Sequence, residues 1–508
     1  MRYLYGLAIL CCLVLWSSCR NDFETVASTG GLEFSKDTVY LDTVFSNIGS
    51  STYNLKVYNR SNEDINIPTV RLAQGESSNY RLNVDGMPGK VFENVQILAK
   101  DSIFIFVETT LDINNLPTNA PDFLYTDQLV FDSGSNEQKV ELVTLVKDAV
   151  FLFPEKYADG TTETLNLGDD GDGNPILVKG FFLDDSELTF TNEKPYVIYG
   201  YAAVPSNKTL TVEAGARVHF HNGSGIIVAQ NGSMKSMGLS SSDPETLENE
   251  VIFEGDRLEP GFADVPGQWL TIWLTSGSVN NEFNYTTIKN NTIGLLVEAS
   301  PVNLSNVQIY NSTVDGLRAT TSSINGENMV VNNSGQSSLN IQLGGSYNFR
   351  HATFANYWTN GFRSFPAVSI GNFFEYTDGS IVSQDLIAAN FTNCIIYGNE
   401  RREFSLFKND ASAFDFKFEN CLVRFEDPTG EFDDNPLYDF SNPVIYPLTK
   451  LNIDPVFQDT EKNNFNIESG TSGADGIGKG GVGPSEDLNG KTRDAINPDA
   501  GAYESIVF

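Results

Sequence analysis

At 508 residues the chain exceeds what one ordinary hydrophobic core organises, so two folded domains are expected unless part of it is a solenoid, which grows by adding coils. Acidic residues outnumber basic ones 66 to 32, for a formal net charge of −34, and a surface of that sign repels phosphate backbones and anionic headgroups. Nucleic acid is therefore not an expected partner; the charge keeps a strand-rich chain soluble and can supply calcium ligands, but it locates no site.

Residues 1–18 read as a signal peptide: Arg2 supplies a minimal charged start, and Leu4 through Trp16 is apolar but too short to span a bilayer. Ser17 and Ser18 before Cys19, followed by polar Arg20-Asn21-Asp22, resemble a bacterial lipobox, with Trp16 standing where Leu is usual and Leu15 one place early. The resemblance implies lipidation of Cys19, since two or more acyl chains anchor a protein stably where one is marginal. Asp22 and Glu24 resemble the export signals of surface-exposed lipoproteins. Together they imply a lipid anchor in the outer membrane, at the cell surface of a Gram-negative bacterium, with the membrane as a partner. Residues 19–30, rich in Ser, Thr and Gly, read as a flexible tether.

Residues 31–150 carry strand-like segments at short intervals: 38–44, 53–58, 65–70, 102–109, 128–131 and 139–146. Turn residues separate them, as in Asn59-Arg60-Ser61-Asn62, and no long 3.6-residue period intervenes, which is the pattern of a β-sandwich. Leu55-Lys56-Val57-Tyr58-Asn59 followed by Ile65-Asn66-Ile67 resembles the hairpin of immunoglobulin-like domains that serve as spacers in secreted bacterial proteins. It carries no catalytic motif.

A transition region, 151–191, contains Asp169-Asp170-Gly171-Asp172-Gly173-Asn174. Asp169, Asp170 and Asp172 are candidate Ca2+ ligands, but the bidentate Glu and flanking helices of an EF-hand are missing, and an acidic β-turn is the competing reading. Short β-branched strands divided by Gly turns follow, from Leu210-Thr211-Val212 to Gly225-Ile226-Ile227-Val228, as suits coils with tight corners. Between Phe283 and Val423 one six-residue phrase is then written six times, beginning at Phe283, Leu304, Gly326, Phe349, Phe391 and Phe418, and its third slot is nearly always Asn. From Tyr285 to Asn306 is 21 residues, to Asn328 another 22 and to His351 another 23, the length of one coil of a β-solenoid. Slots four and six are expected to face the core, slot five and the residue after slot six to face out.

The run from Leu210 through Gly267-Gln268-Trp269-Leu270-Thr271-Ile272-Trp273 into the six phrases resembles the pectate-lyase-like superfamily, and implies a right-handed parallel β-helix over 151–508. Asp454-Pro455-Val456-Phe457, Phe465-Asn466-Ile467, Asp487-Leu488-Asn489-Gly490 and Asp499-Ala500-Gly501-Ala502-Tyr503-Glu504 resemble the final coils of secreted β-helix proteins. The expected fold is all-β, an N-terminal immunoglobulin-like sandwich followed by that β-helix, in a monomer. Such a fold hosts lyases, hydrolases, esterases and plain binders, so function has to be read from the site.

The outward strip of the six phrases contains no carboxylate, whereas glycosidases need two acids and calcium-assisted elimination needs a carboxylate cluster beside a base. The Asn-Thr-Asp, Gly-Asp-Asp and Arg-Ile-Lys signatures of polygalacturonases and the Trp-Ile-Asp-His run of pectate lyases are absent. The strip offers amides, hydroxyls and the rings of Tyr310 and Tyr397, which suit sugar recognition; a solvated sheet face is the plainer reading. An insertion over about 356–390 adds Tyr357, Trp358, Phe362, Arg363, Phe373, Phe374 and Tyr376. Tyr310, Trp358 and Tyr397 are therefore the candidate ligand-binding residues.

The candidate catalytic residues are Asp256, Arg257 and Asp264, carboxylates and a cation within one loop with Glu254 and Glu259 nearby. His219 and His221 share a strand face but lack a third metal ligand, and His351 occupies the Asn slot, where a ladder role is expected. Cys394 and Cys421 share the inward slot of successive phrases, at a separation that admits either stacked free thiols or a disulfide. The leading reading is a non-catalytic, lipid-anchored envelope protein that binds glycans or other surface ligands, with no cofactor unless Ca2+. The alternative is a polysaccharide lyase or glycoside hydrolase acting on an acidic polysaccharide. Convergent carboxylates in one groove would favour the enzyme, and amides with aromatics the binder.

Overall fold

A computed structural model describes residues 25–117, 120–132, 134–244 and 246–508. Cys19 and the signal segment lie outside the described residues. The chain is all-β and divides into two compact units, one reaching Asp148 and the other running from Ala149 to Phe508.

The first unit has a six-stranded and a five-stranded sheet. Alternation builds its core: Ile103, Ile105 and Val107 come from one sheet, Leu129, Phe131, Val140 and Leu142 from the other. The strands Tyr53–Tyr58 and Ser102–Thr109 fall where their alternation predicts, while Tyr80–Val84 and Val91–Ile97 join them from stretches that alternate less plainly. Buried Asn59 holds one turn shut by donating from Nδ2 to the carbonyls of Glu63, Ile97 and Leu98. The expected tether is not free over its described part: Val26–Ala27 pairs in parallel with Ile65 and Asn66, and the Ser28 hydroxyl donates to Asp132 at 2.6 Å.

The second unit is dominated by one sheet of 26 strands in which nearly all pairings are parallel. Parallel neighbours need a crossover, and here each crossover is the rest of a coil, so strands two to five apart in sequence pair and the fold is β-helix-like. The core is a stack of equivalent residues. Tyr196, Val218, Phe253, Ile288, Ile309, Val331, Phe354, Ile396 and Val423 succeed one another in register, and all are buried in one cluster. Slot four lies inward too, with Cys394 and Cys421 buried as free thiols and the Cys394 N–H directed at the Cys421 sulfur.

The recurring Asn has a backbone cause. Asn306, Asn328, Asn393 and Asn420 have φ of 56°, 51°, 55° and 54°, and Tyr285 and His351 in the same slot have 39° and 50°. Each coil turns a corner in the left-handed region, which Asn tolerates better than other residues with a Cβ. Stacking then lets the amides bond along the axis: Asn328 Nδ2 donates to Asn306 Oδ1 at 3.0 Å, and Asn306 Nδ2 to Asn284 Oδ1 at 3.3 Å.

The C-terminal stretch departs from the expectation of final coils. The stacked strands end at Lys450–Leu451, and the strands Phe457–Asp459 and Asn464–Ile467 pair antiparallel in a sheet of their own. From there the chain folds back over the outward side of the phrase strands.

Candidate functional site

This return decides which surface is available. Slot-five residues Val330, Thr353, Ile395 and Leu422 are buried, and the cover reaches them with Phe465, Ile467, Leu488, Ala500, Ala502 and Tyr503. The Asn corner acts as its rail. Asn328 Nδ2 donates to the Glu486 carbonyl at 2.9 Å, Asn420 Nδ2 to that of Ile477 at 2.7 Å, and Asn393 exchanges two bonds with the Lys479 backbone at 2.7 and 3.0 Å. Arg493, buried, donates to Asn328 Oδ1 at 2.8 Å and pairs with Glu504 at 3.0 Å.

The candidate ligand-binding rings are therefore misplaced. Tyr310 is 7% exposed against Tyr503, and burial pushes its hydroxyl far above the usual phenol range. Trp358 is 9% exposed, and Tyr397 is half-buried with the Arg424 guanidinium 5.4 Å above its ring. None of the three offers a clear ring face for stacking. The signal that could have shown this was Val330, Ile395 and Leu422, apolar residues in the slot expected to meet water.

Upstream, the same strand column carries charge. His219, Glu254 and Lys289 occupy successive outward positions, with Lys289 Nζ 2.9 Å and His219 Nδ1 3.7 Å from the Glu254 carboxylate. Burial pushes Glu254 up, but His219, Lys289 and Arg217 outweigh it and hold the carboxyl below its ordinary value. Two residues on, Asp256 accepts from or binds His221 Nδ1 at 2.8 Å, and the His221 ring stacks on Tyr199 at 4.5 Å. The loop residues do not converge: Arg257 turns to Glu259 at 3.0 Å and lies over Phe262, while Asp264 accepts from Asn311. Asp256, Arg257 and Asp264 thus form no shared acid–base centre.

No group of three His, Cys, Asp or Glu side chains among the described residues is arranged to hold a metal ion. Asp169, Asp170 and Asp172 sit at the tip of a hairpin formed by Thr164–Asp169 and Pro175–Phe182. There the Asp170 carboxylate accepts from the N–H groups of Asp172 and Asn174 at 2.9 and 2.8 Å, and bonds from Asn174 hold it below its usual value. The acidic β-turn is what forms.

That hairpin does build a wall. Leu165 packs on Ala203 and Ile227, outward residues of the next strand column, and leaves a groove of about 500 Å³. Its floor and sides include the rings of Trp273 and Phe182, Asn166, Gln230, Thr275 and Glu298. Trp273 is partly exposed, and its indole N–H donates to Glu298 Oε2 at 2.9 Å, which fixes the ring and occupies the one carboxylate lining the groove. Aromatic faces beside amides and hydroxyls bind apolar ring edges and hydroxyl groups together. Sequence reading missed this groove because its parts are distant in the chain, Ala203 and Ile227 being 24 residues apart and Ile227 and Trp273 46, and only the register brings them into line.

No family model matches the sequence, and no curated protein matches it. Among solved structures it is similar to a family 123 glycoside hydrolase from Clostridium perfringens that hydrolyses glycolipid glycans, at 9% identity and TM-score 0.17, covering 24% of this chain and 31% of that one. It is similar to the periplasmic chaperone SfaE at 13% identity and TM-score 0.16, covering 29% and 83%. A family 87 α-1,3-glucanase catalytic domain gives 9% identity and TM-score 0.14, covering 73% and 80%. The chain spans under a third of the first of these, and TM-scores this low carry no argument about activity.

Proposed function

We propose that this chain is a lipid-anchored cell-envelope protein that binds a glycan without cleaving it, through the groove floored by Trp273. In this reading the first unit is an immunoglobulin-like spacer, the second a right-handed parallel β-helix of the pectate-lyase-like kind, and Cys19 the anchor. The observation that carries it is the groove's chemistry: two rings, amides and hydroxyls, with its single carboxylate bonded to an indole N–H. A glycosidase needs a second carboxyl and one that is protonated at working pH. Titration of a panel of soluble polysaccharides into the protein lacking residues 1–19 tests it. Trp273→Ala is expected to weaken binding about tenfold, equivalent to about 1.4 kcal/mol, and Tyr310→Phe, under the cover, to leave it unchanged. Equal affinity of the Trp273 variant and the parent rejects the groove. Cys19→Ala is expected to move the full-length protein from membranes to the soluble fraction, and retention on membranes rejects the anchor.

One observation favours the enzymatic alternative: Glu254, on the strand Val251–Gly255, and Asp256, just past its end, are two residues apart, about 7 Å by strand rise, inside the range used by inverting glycosidases. Against it, both are bound to cationic or imidazole partners, and those partners hold the Glu254 carboxyl below its ordinary value, which disfavours it as the proton donor. Release of new reducing or unsaturated ends from a polysaccharide, lost in Asp256→Asn, would establish the enzyme.

A further inference from the structure

Within the insertion over 356–390 a buried clasp sets one wall of a second hollow. Arg363 and Glu403 are buried together, and the guanidinium donates to the two carboxylate oxygens at 2.7 and 2.9 Å. It also donates to the carbonyls of Phe365 and Asn356 at 2.6 and 2.9 Å and to Asn399 Oδ1 at 2.6 Å. Glu403 in turn accepts from the N–H groups of Ala367 and Glu400 at 2.8 and 2.7 Å. A buried ion pair returns little net stability once its desolvation is counted. What this one does is tie the turn that carries Phe362 to the turn that carries Arg401.

The hollow between those turns measures about 620 Å³, a size usual for small-ligand sites. At its edge the Phe362 ring is 92% exposed, next in the chain to buried Arg363, and the hydroxyls of Ser364 and Ser405 line it. A ring held out in water by an anchored neighbour gains nothing for the fold and offers a face for stacking. Ser405 lies in register with Trp273 through Leu296, Arg318, Asn340 and Ser369. Five steps of about 4.8 Å place it about 24 Å from Trp273 along the axis, so the hollow and the groove are separate places.

Charge narrows the ligand. Arg401 lines the hollow and is exposed. Among the described residues every other arginine is held by a carboxylate or, as Arg217 is, by backbone carbonyls; the Arg401 guanidinium has neither. In a chain with 66 acidic residues to 32 basic ones, a guanidinium left unpaired is the exception. Arg402 beside it reaches Glu431 at 2.8 Å, a pair exposed enough on both sides to be worth little and to be exchanged for a better oxyanion. Of the carboxylates on the lining, Glu426 is drawn to Arg424 at 3.3 Å, and Glu400 remains to oppose a negative ligand. The planar fork of an arginine meets carboxylate, sulfate or phosphate oxygens two at a time. One such group is favoured there, whereas a polyanion would extend past the two guanidiniums into a surface of net charge −34.

From this geometry we infer that the hollow is a second binding site, for one sugar-sized ring that carries a single oxyanion group, a carboxylate, sulfate or phosphate. The oxyanion pairs with Arg401 and Arg402, the ring lies on Phe362, and its hydroxyls meet Ser364 and Ser405. The site is independent of the Trp273 groove, and neither reading needs the other.

The test is calorimetric titration of the protein lacking residues 1–19 with glucuronate, glucose 6-sulfate and glucose 6-phosphate, beside glucose, inorganic sulfate and inorganic phosphate. At least one charged sugar is expected to bind about tenfold tighter than glucose and than either inorganic ion, and the tightest of the three names the oxyanion. Arg401→Gln and Phe362→Ala, at positions too exposed to disturb the fold, should each weaken that sugar about tenfold with the melting temperature unchanged. Glu400→Gln should strengthen it, and Trp273→Ala should leave it as it was. Glucose binding as tightly as the charged sugars overturns the oxyanion. An inorganic ion binding as tightly as the sugar overturns the ring and leaves an adventitious ion only. Binding that is indifferent to Arg401→Gln, or lost in Trp273→Ala, places the ligand elsewhere and overturns the site, as does no binding by any of the three. Failure on any of these counts leaves the groove reading standing, since Trp273→Ala with the polysaccharide panel tests that reading alone.

Discussion

The two outward faces of the second unit are made alike and end differently. Both are strand columns that alternate inward and outward, and both stack equivalent residues coil after coil. On the phrase face the outward residues become Val330, Ile395 and Leu422, and the chain returns to bury them; on the groove face they are Arg318, Asn340 and Ser369, and they stay wet. An outward slot that turns apolar marks a surface that something covers, and one that stays polar leaves a face open to solvent, as on the side of the proposed groove. The polar amides of the phrase face are no exception. They sit at its corner and spend their bonding on the cover's backbone.

The most severe way to break that contrast is to remove the cover. Deleting residues 454–508 exposes Val330, Ile395 and Leu422, each worth about 1.5–3 kcal/mol when buried, and strands the corner amides. The truncated protein is expected to bind a hydrophobic dye strongly, to lose soluble yield and to melt at a lower temperature. A truncation that stays monomeric and dye-silent would mean the cover is ornamental.

A smaller perturbation targets the clasp. Arg493 is buried with Glu504, and it also reaches Asn328 and the carbonyls of Gly501 and Ala502. Arg493→Met leaves Glu504 buried without its cation, a loss of about 3–5 kcal/mol in denaturant titrations. Adding Glu504→Gln removes the orphaned charge and should recover part of that loss; no recovery would show that the pair is not what holds the clasp. Asn328→Leu comes next, at about 1–3 kcal/mol for the amide bonds it forfeits. Its φ of 51° adds a left-handed penalty for a bulky residue. Stability equal to the parent would mean that the corner amides are effectively solvated.

How much of this the sequence discloses depends on the range of the cause. Alternation within Phe283–Val423 and the spacing of the third slot disclose the coils, because both are local. The Asn slot was read as a bonding ladder; its other cause, a left-handed corner, is visible only in the backbone of Asn306 or His351. The cover was misread as final coils because 470–490 is Gly-rich with few strand signals, so its partners, Asn328 and Asn393, are set by tertiary contacts 86 residues and more away. The groove was invisible because Ala203, Ile227 and Trp273 look unremarkable until parallel register lines them up. Val26 and Ala27 were lost to the tether since two residues are too few to show alternation.

The mildest test concerns the odd member of the corner. His351 stands where other phrases have Asn, its Nε2 2.9 Å from Asn393 Nδ2 and 3.1 Å from the Val482 carbonyl of the cover. Burial, with Arg493 adding to it, pushes its imidazole down to about 3 from 6.5. Between those values the unfolded chain holds a proton that the fold excludes. The contribution is therefore complete above about 6.5 and is lost as pH falls, by up to about 1.4 kcal/mol per pH unit. His351→Asn keeps a residue suited to φ of 50° and able to bond both neighbours. It is expected to match the parent within about 1 kcal/mol near neutral pH and to fall less steeply on acidification. Urea titrations of both proteins near neutral pH and at about pH 4.5 decide it. Parallel loss in the two would mean that the imidazole is not what the cover excludes from protonation, and that the acid sensitivity of this face lies with other groups.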